Sequence, residues 1–189
     1  MAKAGENKRE RLVRAAAELS HAQGFAGISL ADIAQSAHVP LGNIYYYFKT
    51  KAAIGAAIIA ERLAETQRVQ EACEAAPTAQ GRLKAFVQMT VDNRATLARA
   101  GCPVGSLCAE LSKDATGLSE EVAAPFRKLL TWLEAQFAAL GRNDERRSLA
   151  LHLLAALQGV SLLANCFHDP TLVVREAKLL KAWIDSLTK

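Results

Sequence analysis

Apolar residues recur at helical spacing along almost the whole chain. Between Lys8 and Gln23, Leu12, Ala16 and Leu19 fall at i, i+4 and i+7, with Lys8, Arg11, Arg14 and Glu18 mostly elsewhere. Gly24 stops that helix, and Phe25 and Ile28 follow as core residues. Ser29 is a good N-cap, and Asp32 places negative charge in the first turn of a short helix, Leu30 to Ala37, with Ile33 and Ala34 inward. His38-Val39 reads as a turn. Pro40 sits near the start of a third helix running to about Phe48, where its missing N–H costs nothing. Thr50 can cap a long helix from Ala52 to about Ala75, which Pro77 ends.

Beyond it the pattern predicts a helix over 78–100, with Leu83, Phe86, Val87 and Thr90-Val91 as its stripe, and a loop at GCPVGS, 101–106. A short helix over 107–114 follows, then one opening at Ser119 and running to Leu140, closed by Gly141. Asn143 is expected to cap the next, to about Cys166, and Asp169-Pro170 precedes a last helix over 171–187. About nine helices and no strand predict an all-α fold.

Composition agrees. Alanine and leucine, both strong helix formers, dominate a chain that is 51% hydrophobic and 6% aromatic. The longest unbroken apolar run, residues 52–60, is far shorter than the roughly 20 residues of a membrane span, and the charged start does not resemble a secretory signal. A cytoplasmic protein with no membrane partner is the expectation. Cys73, Cys102, Cys108 and Cys166 match no zinc spacing and read as free thiols. No metal or cofactor is expected. Residues 1–51 hold seven Lys/Arg against four Asp/Glu, whereas 52–189 hold 16 against 15. The basic excess therefore belongs to the N-terminal quarter, a pointer to a polyanionic partner there.

The three tyrosines of the chain stand together in PLGNIYYYFKTK, residues 40–51. On a helix, Ile44, Tyr47 and Phe48 form one apolar stripe, and Leu41, Gly42, Tyr45 and Tyr46 form the opposite one. Helical geometry cannot bury all three tyrosines on one side. Two short helices joined by a tight turn, packed on a first helix, have the layout of a helix-turn-helix. In a major groove, Gly42 would let the backbone come close. Leu41 or a tyrosine ring would touch thymine methyls, tyrosine hydroxyls would reach phosphates, and Asn43 could bond adenine. Lys51 and Ser29, each at a helix N-terminus, suit phosphate.

The stretch FAGISLADIAQSAHVPLGNIYYYFKTKAAI resembles the DNA-binding domain of the tetracycline-repressor (TetR) family of transcription regulators, through Gly24-Phe25, Ile28-Ser29, DIAQSAHV, Gly42, Ile44-Tyr45 and Tyr47 to Lys51. The resemblance spans roughly residues 8–65. It implies that Ser29, Tyr45 and Lys51 contact phosphates and that Leu41 to Tyr46 read bases. Asn43 and Tyr46 depart from the family's frequent Ser or Thr and His, so the operator cannot be borrowed from relatives. The resemblance further implies a DNA-binding domain over 1–51 and an effector-binding and dimerisation domain over 52–189. The partners would be a palindromic DNA operator, a second copy of the chain and a small-molecule effector.

The dimer has support in the residues themselves. Leu149, Leu151, Leu153, Leu154, Leu157, Val160, Leu162 and Leu163 make one helix apolar nearly all round, which demands cover on several sides. The last helix offers Leu180, Trp183, Ile184 and Leu187. In the family these two helices form a four-helix interface. Effector-pocket candidates by position are Phe86, Met89, Asn93, Trp132, Gln158 and Asn165. GCPVGSLCAELSK resembles a subgroup with a Gly-Cys pair at this loop. Cys102, after Arg99 and near a helix N-terminus, is then a second candidate, a sensor of electrophiles or oxidants.

An enzyme is the rival class. No metal cluster, phosphate loop or nucleophile elbow is present, GCPVGS is not G-x-S-x-G, and the four histidines are scattered. The expectation is a non-enzymatic repressor that an effector releases from DNA, with the long helix over 51–75 carrying the shift to the DNA-binding heads.

Overall fold

The computed structural model describes residues 7–112, 118 and 120–188. Among these, ten α-helices and one 3-10 turn form, without strands: α1 Lys8–Gln23, α2 Leu30–Ser36, α3 Leu41–Tyr47, α4 Lys51–Cys73, α5 Ala79–Asp92, α6 Arg94–Ala100, α7 Pro103–Leu111, the 3-10 turn Glu121–Ala123, α8 Ala124–Ala139, α9 Arg146–Phe167 and α10 Thr171–Ser186. The chain is all-α, as its apolar spacing predicts.

Element ends follow local chemistry. The Asn7 side chain accepts the Glu10 N–H while the Glu10 carboxylate accepts the Asn7 N–H, a reciprocal cap on α1. Gly24 ends α1 at φ +83°, a conformation that L side chains rarely adopt. Thr50 Oγ1 accepts the Ala53 N–H in the first turn of α4, so the predicted cap is in place.

Four boundaries differ from expectation. The helix expected over 78–100 is divided between Asp92 and Arg94. Asn93 Nδ2 donates to Met89 O at 2.9 Å, the kind of local bond by which asparagine competes with a continuing helix. The loop expected at 101–106 is mostly helical, because α7 starts at Pro103, a residue suited to a first turn where its N–H is not needed. Asn143 does not cap α9. Residues 143–145 form a turn, and Glu145 is the N-cap, with no side-chain bond to the helix. The helix expected from Ser119 begins in the described residues with the 3-10 turn. Ser119 itself, like Asp114 at the end of another expected helix, lies outside the described residues.

Two compact units result. The first comprises residues 1–64 and 103–125, so α7 and the 3-10 turn belong with α1 to α3 and the start of α4. Its core joins Leu12, Ala16, Phe25, Ile33, Ile44, Phe48, Ile54 and Ile58 with Leu107, Leu111 and Leu118. The second comprises residues 65–102 and 126–189. There Leu83, Val87, Leu133, Phe137, Leu153 and Ile184 share a core, and a smaller cluster gathers Leu97, Ala98, Val160, Ala164 and Val173.

Helix α9 is long and apolar enough to cross a membrane, with a mean hydropathy of 1.6 over its best window. Its Ala150, Leu153, Leu154, Leu157, Val160 and Ala164 are buried inside the second unit, the pattern of a core helix. Leu151, Leu162, Leu163 and Phe167 stay exposed on the rest of it. On α10, Leu180 and Ile184 are buried in the unit's own core, with Trp183 and Leu187 packed against it. The stripe that the sequence offers for a partner is therefore turned inward, and Val174 and Leu179 face out.

Leu133 is fully buried at the centre of the second core. Leu133→Ala is expected to lower unfolding free energy by about 2–5 kcal/mol, read by urea denaturation, because methyl groups are lost and a cavity remains.

Candidate nucleic-acid interface

Helices α2 and α3 are set by short-range chemistry. Ser29 Oγ accepts the Asp32 N–H at 3.2 Å, and Asp32 Oδ2 accepts the Ser29 N–H at 2.8 Å and the Ser29 hydroxyl at 2.6 Å. Those bonds, the side-chain one foremost, hold the Asp32 carboxyl below its ordinary value. The turn that follows depends on His38 at φ +51° and on the Val39 N–H returning to Ala34 O at 2.9 Å. Pro40 then opens α3, its carbonyl accepting the Asn43 N–H at 2.9 Å.

The two faces of α3 are unlike. Ile44 is 0% exposed and Phe48, the residue after its last turn, is buried beside it. On the other side Leu41 is exposed, Tyr45 is 53% exposed and Tyr46 81%. Tyr47 lies between them in exposure, its ring edge-on to Tyr46 at 5.0 Å. Asn43 is half-buried. A Cβ added at Gly42 would meet nothing within 4 Å, so this part of the backbone faces open space. Six residues proposed from the pattern, Ser29, Leu41, Gly42, Asn43, Tyr45 and Tyr46, thus lie on α3 or at the N-terminus of α2. Most of them are open to solvent.

Lys51 is placed differently from a free cation. Its Nζ donates to Ala26 O at 2.8 Å and stands 5.1 Å from the centre of the Phe25 ring. It therefore sits over the loop between α1 and α2, which leads into Ser29. Arg9, which sequence reasoning left aside, has its guanidinium 5.5 Å from the Phe48 ring. The spacing of charges along α1 holds no signal of that stacking.

The effector-pocket candidates fall into two groups, both in the second unit. Phe86 and Trp132 have ring centroids 5.8 Å apart, and Met89 Sδ lies 3.7 Å from Cys73 Sγ. Burial raises the Cys73 thiol to about 11, so it is protonated and unreactive at neutral pH. Trp132 Nε1 donates to Glu74, which also pairs with Arg82. Asn93 is exposed at the α5–α6 junction, apart from its bond to Met89. In the second group Cys102 packs on the cluster around Val160, and Asn165 Nδ2 donates to Ala98 O at 3.3 Å. Gln158 is half-buried on α9. A small surface recess belongs instead to the first unit, lined by Ser20, His21, Ile58, Arg62, Pro103, Ser106 and Leu107.

A helix packed behind two short ones joined by a tight turn, the third showing its polar-aromatic side to solvent, defines the helix-turn-helix class of proteins. Residues 12–58 match the profile of "Bacterial regulatory proteins, tetR family", so the chain carries a TetR-type N-terminal domain. The HTH-type transcriptional repressor NemR of Escherichia coli (strain K12) is 30% identical over 122 residues, which are 64% of this chain and 60% of NemR. The chain thus matches less than two thirds of that relative's length. An HTH-type transcriptional regulator in the lacX 3′ region of Lactococcus lactis subsp. lactis is 26% identical over 93% of this chain and 92% of its own. In fold, a TetR transcriptional regulator from Legionella pneumophila superposes with a TM-score of 0.85 over 99% of this chain and 100% of its own, at 20% identity.

Two substitutions check the local account. Gly42→Ala should leave the fold intact and raise stability by roughly 0.5 kcal/mol in chemical denaturation, because alanine meets no obstacle there and favours the helix. Asp32→Asn should destabilise only in part of the pH range. A carboxyl lowered by folding contributes stability above its unfolded value and loses it as pH falls through the folded one. The gap between wild type and variant in urea midpoint should therefore be widest near neutrality and close as the solution is acidified below the usual carboxylate range.

Proposed function

We propose that the chain is a transcriptional repressor that grips double-stranded DNA as a homodimer and lets go when a small-molecule effector binds. The first unit is the DNA-binding head and the remaining helices supply dimerisation and the effector site. The carrying observation is the exposure of Tyr45 and Tyr46 on a helix whose opposite side is sealed. A phenol costs less in water than an aliphatic chain, yet two side by side, with Leu41 and an unobstructed Gly42, make a face suited to a groove floor and its phosphate walls. The family supplies the reading of repression, and NemR carries that word in its name. A cytoplasmic location follows from a chromosomal target.

The dimer reading rests on α9 and α10. Leu162 is 63% exposed and Phe167 68%, with Leu151, Leu163 and Leu179 also uncovered. Between them Ala155 and Gly159 are exposed, and a Cβ at Gly159 would meet nothing within 4 Å. Small residues flanked by large apolar ones let a second helix approach closely, and a two-fold pairing buries both faces at once. It would also set two recognition helices on neighbouring turns of a palindrome, about 34–36 Å apart or somewhat more. The effector reading rests on the Phe86–Trp132 ring pair, which packs with Met89 in one apolar cluster while Trp132 Nε1 donates to Glu74 at its margin, the mixture of apolar surface and few polar groups that small-molecule sites use.

DNA affinity tests the head. Lys51→Ala should weaken binding to duplex DNA about tenfold and reduce the dependence of log K on log salt by about one unit, as the loss of one phosphate contact requires. Tyr45→Phe should weaken it a few-fold, by about 1 kcal/mol for one hydroxyl. Unchanged affinity in both variants would contradict the assigned face. For the dimer, Leu162→Glu should convert the protein to a monomer in sedimentation velocity while leaving helical content intact. A wild-type protein that sediments as a monomer would sink the dimer reading.

A further inference from the structure

The loop between α1 and α2 carries backbone polar groups that lie outside both helices, and two charged side chains from other elements meet it at one residue. Glu110 Oε2, on α7, accepts the Ala26 N–H at 3.1 Å. Lys51 Nζ, on α4, donates to Ala26 O at 2.8 Å. The polarity is right at both ends, a carboxylate on the donor and an ammonium on the acceptor, so each bond is charge-assisted. Gly24 makes room for the first of them. A Cβ there would stand 3.2 Å from both oxygens of the Glu110 carboxylate, closer than most such contacts allow, on a backbone already at φ +83°. Every group in this arrangement belongs to the first unit.

We propose that Glu110 is a positioning residue for the DNA-contacting rim. By holding the Ala26 N–H it sets the loop that leads into the Ser29 cap and presents the carbonyl on which Lys51 is seated. Helix α7 is then a brace of the DNA-binding head, although it stands 84 residues from Ala26 in sequence. Movement of Glu110 away from the loop frees Ala26 and, with it, the anchor of the Lys51 ammonium. A head whose rim depends on a distant carboxylate can be loosened without any change in α2 or α3. This inference rests on the DNA-binding reading above, and the test separates the two.

Glu110→Ala and Glu110→Gln remove the same negative charge, but only glutamine keeps an acceptor oxygen. Their comparison isolates the hydrogen bond from the change in charge near DNA. Amide exchange at Ala26, followed by NMR on the full chain without DNA, reads the fastening directly. It should quicken about tenfold in Glu110→Ala and stay near wild type in Glu110→Gln. Gly24→Ala, which keeps Glu110 but crowds its carboxylate, should quicken it too. Affinity for a mixed-sequence DNA duplex at low salt reads the consequence, and Glu110→Ala should bind about fivefold more weakly than Glu110→Gln. Unchanged exchange at Ala26 in Glu110→Ala overturns the fastening. Faster exchange with equal DNA affinity in the two variants overturns the positioning role. A wild-type chain that binds no duplex overturns the DNA-binding reading alone, and the exchange data still decide whether Glu110 fastens the loop.

Discussion

The burial of Ile44 and Phe48 is the constraint from which the DNA-binding head takes its form. A helix of seven residues has little stability of its own, since nucleation is costly and few hydrogen bonds repay it. What holds α3 is its seat on Leu12, Ile33, Val39 and Ile54 in the first core. Burying an isoleucine or phenylalanine is worth about 1.5–3 kcal/mol each, more than any single exposed contact on this helix could return. Once those two side chains are inside, a turn of roughly 100° per residue leaves Tyr45 and Tyr46 no choice but solvent. The outward face is a consequence of the inward one.

The same core extends to elements far along the chain. Leu107, Leu111 and Leu118 pack with the helices of the head, and Gly55 admits Leu118 and Phe25 so closely that an added Cβ would lie 2.8 Å from Leu118 Cδ1. Apolar packing brings α7 to the head, and Glu110 and Lys51 then meet at Ala26 with directional bonds. The order matters physically. Non-directional burial can hold an element in place within a broad tolerance, while charge-assisted hydrogen bonds select one position inside it.

In the second unit the division of labour is different. Buried leucines and phenylalanines fill the interior, and polar pairs such as Lys84 with Asp185 and Arg82 with Glu74 tie helices at the margin. Exposed ion pairs of this kind add little stability, about 0–1 kcal/mol each, and serve better to choose among packings of similar core energy. What remains is an uncovered apolar side of α9 and α10 that this single chain does not satisfy. Cys73, Met89, Phe86 and Trp132 belong to the same unit's interior, where soft sulfur and aromatic groups pack beside the leucines.

Local chemistry alone determined much of this. The Ser29–Asp32 cap, the Thr50 cap, the stop at Gly24 and the two faces of α3 are all interactions between residues within a few positions, and sequence displays such neighbours directly. The division of the helix at Asn93 was equally local, yet it depended on whether one side chain would turn back on Met89, which periodicity does not encode. Tertiary structure decided the rest. An apolar stripe such as Leu180, Trp183, Ile184 and Leu187 looks the same whether it meets its own core or another chain, because burial is blind to the owner of the surface that covers it. Likewise no spacing rule could bring Glu110 to Ala26. That contact exists only because folding closes the chain between them and sets a carboxylate against one particular N–H.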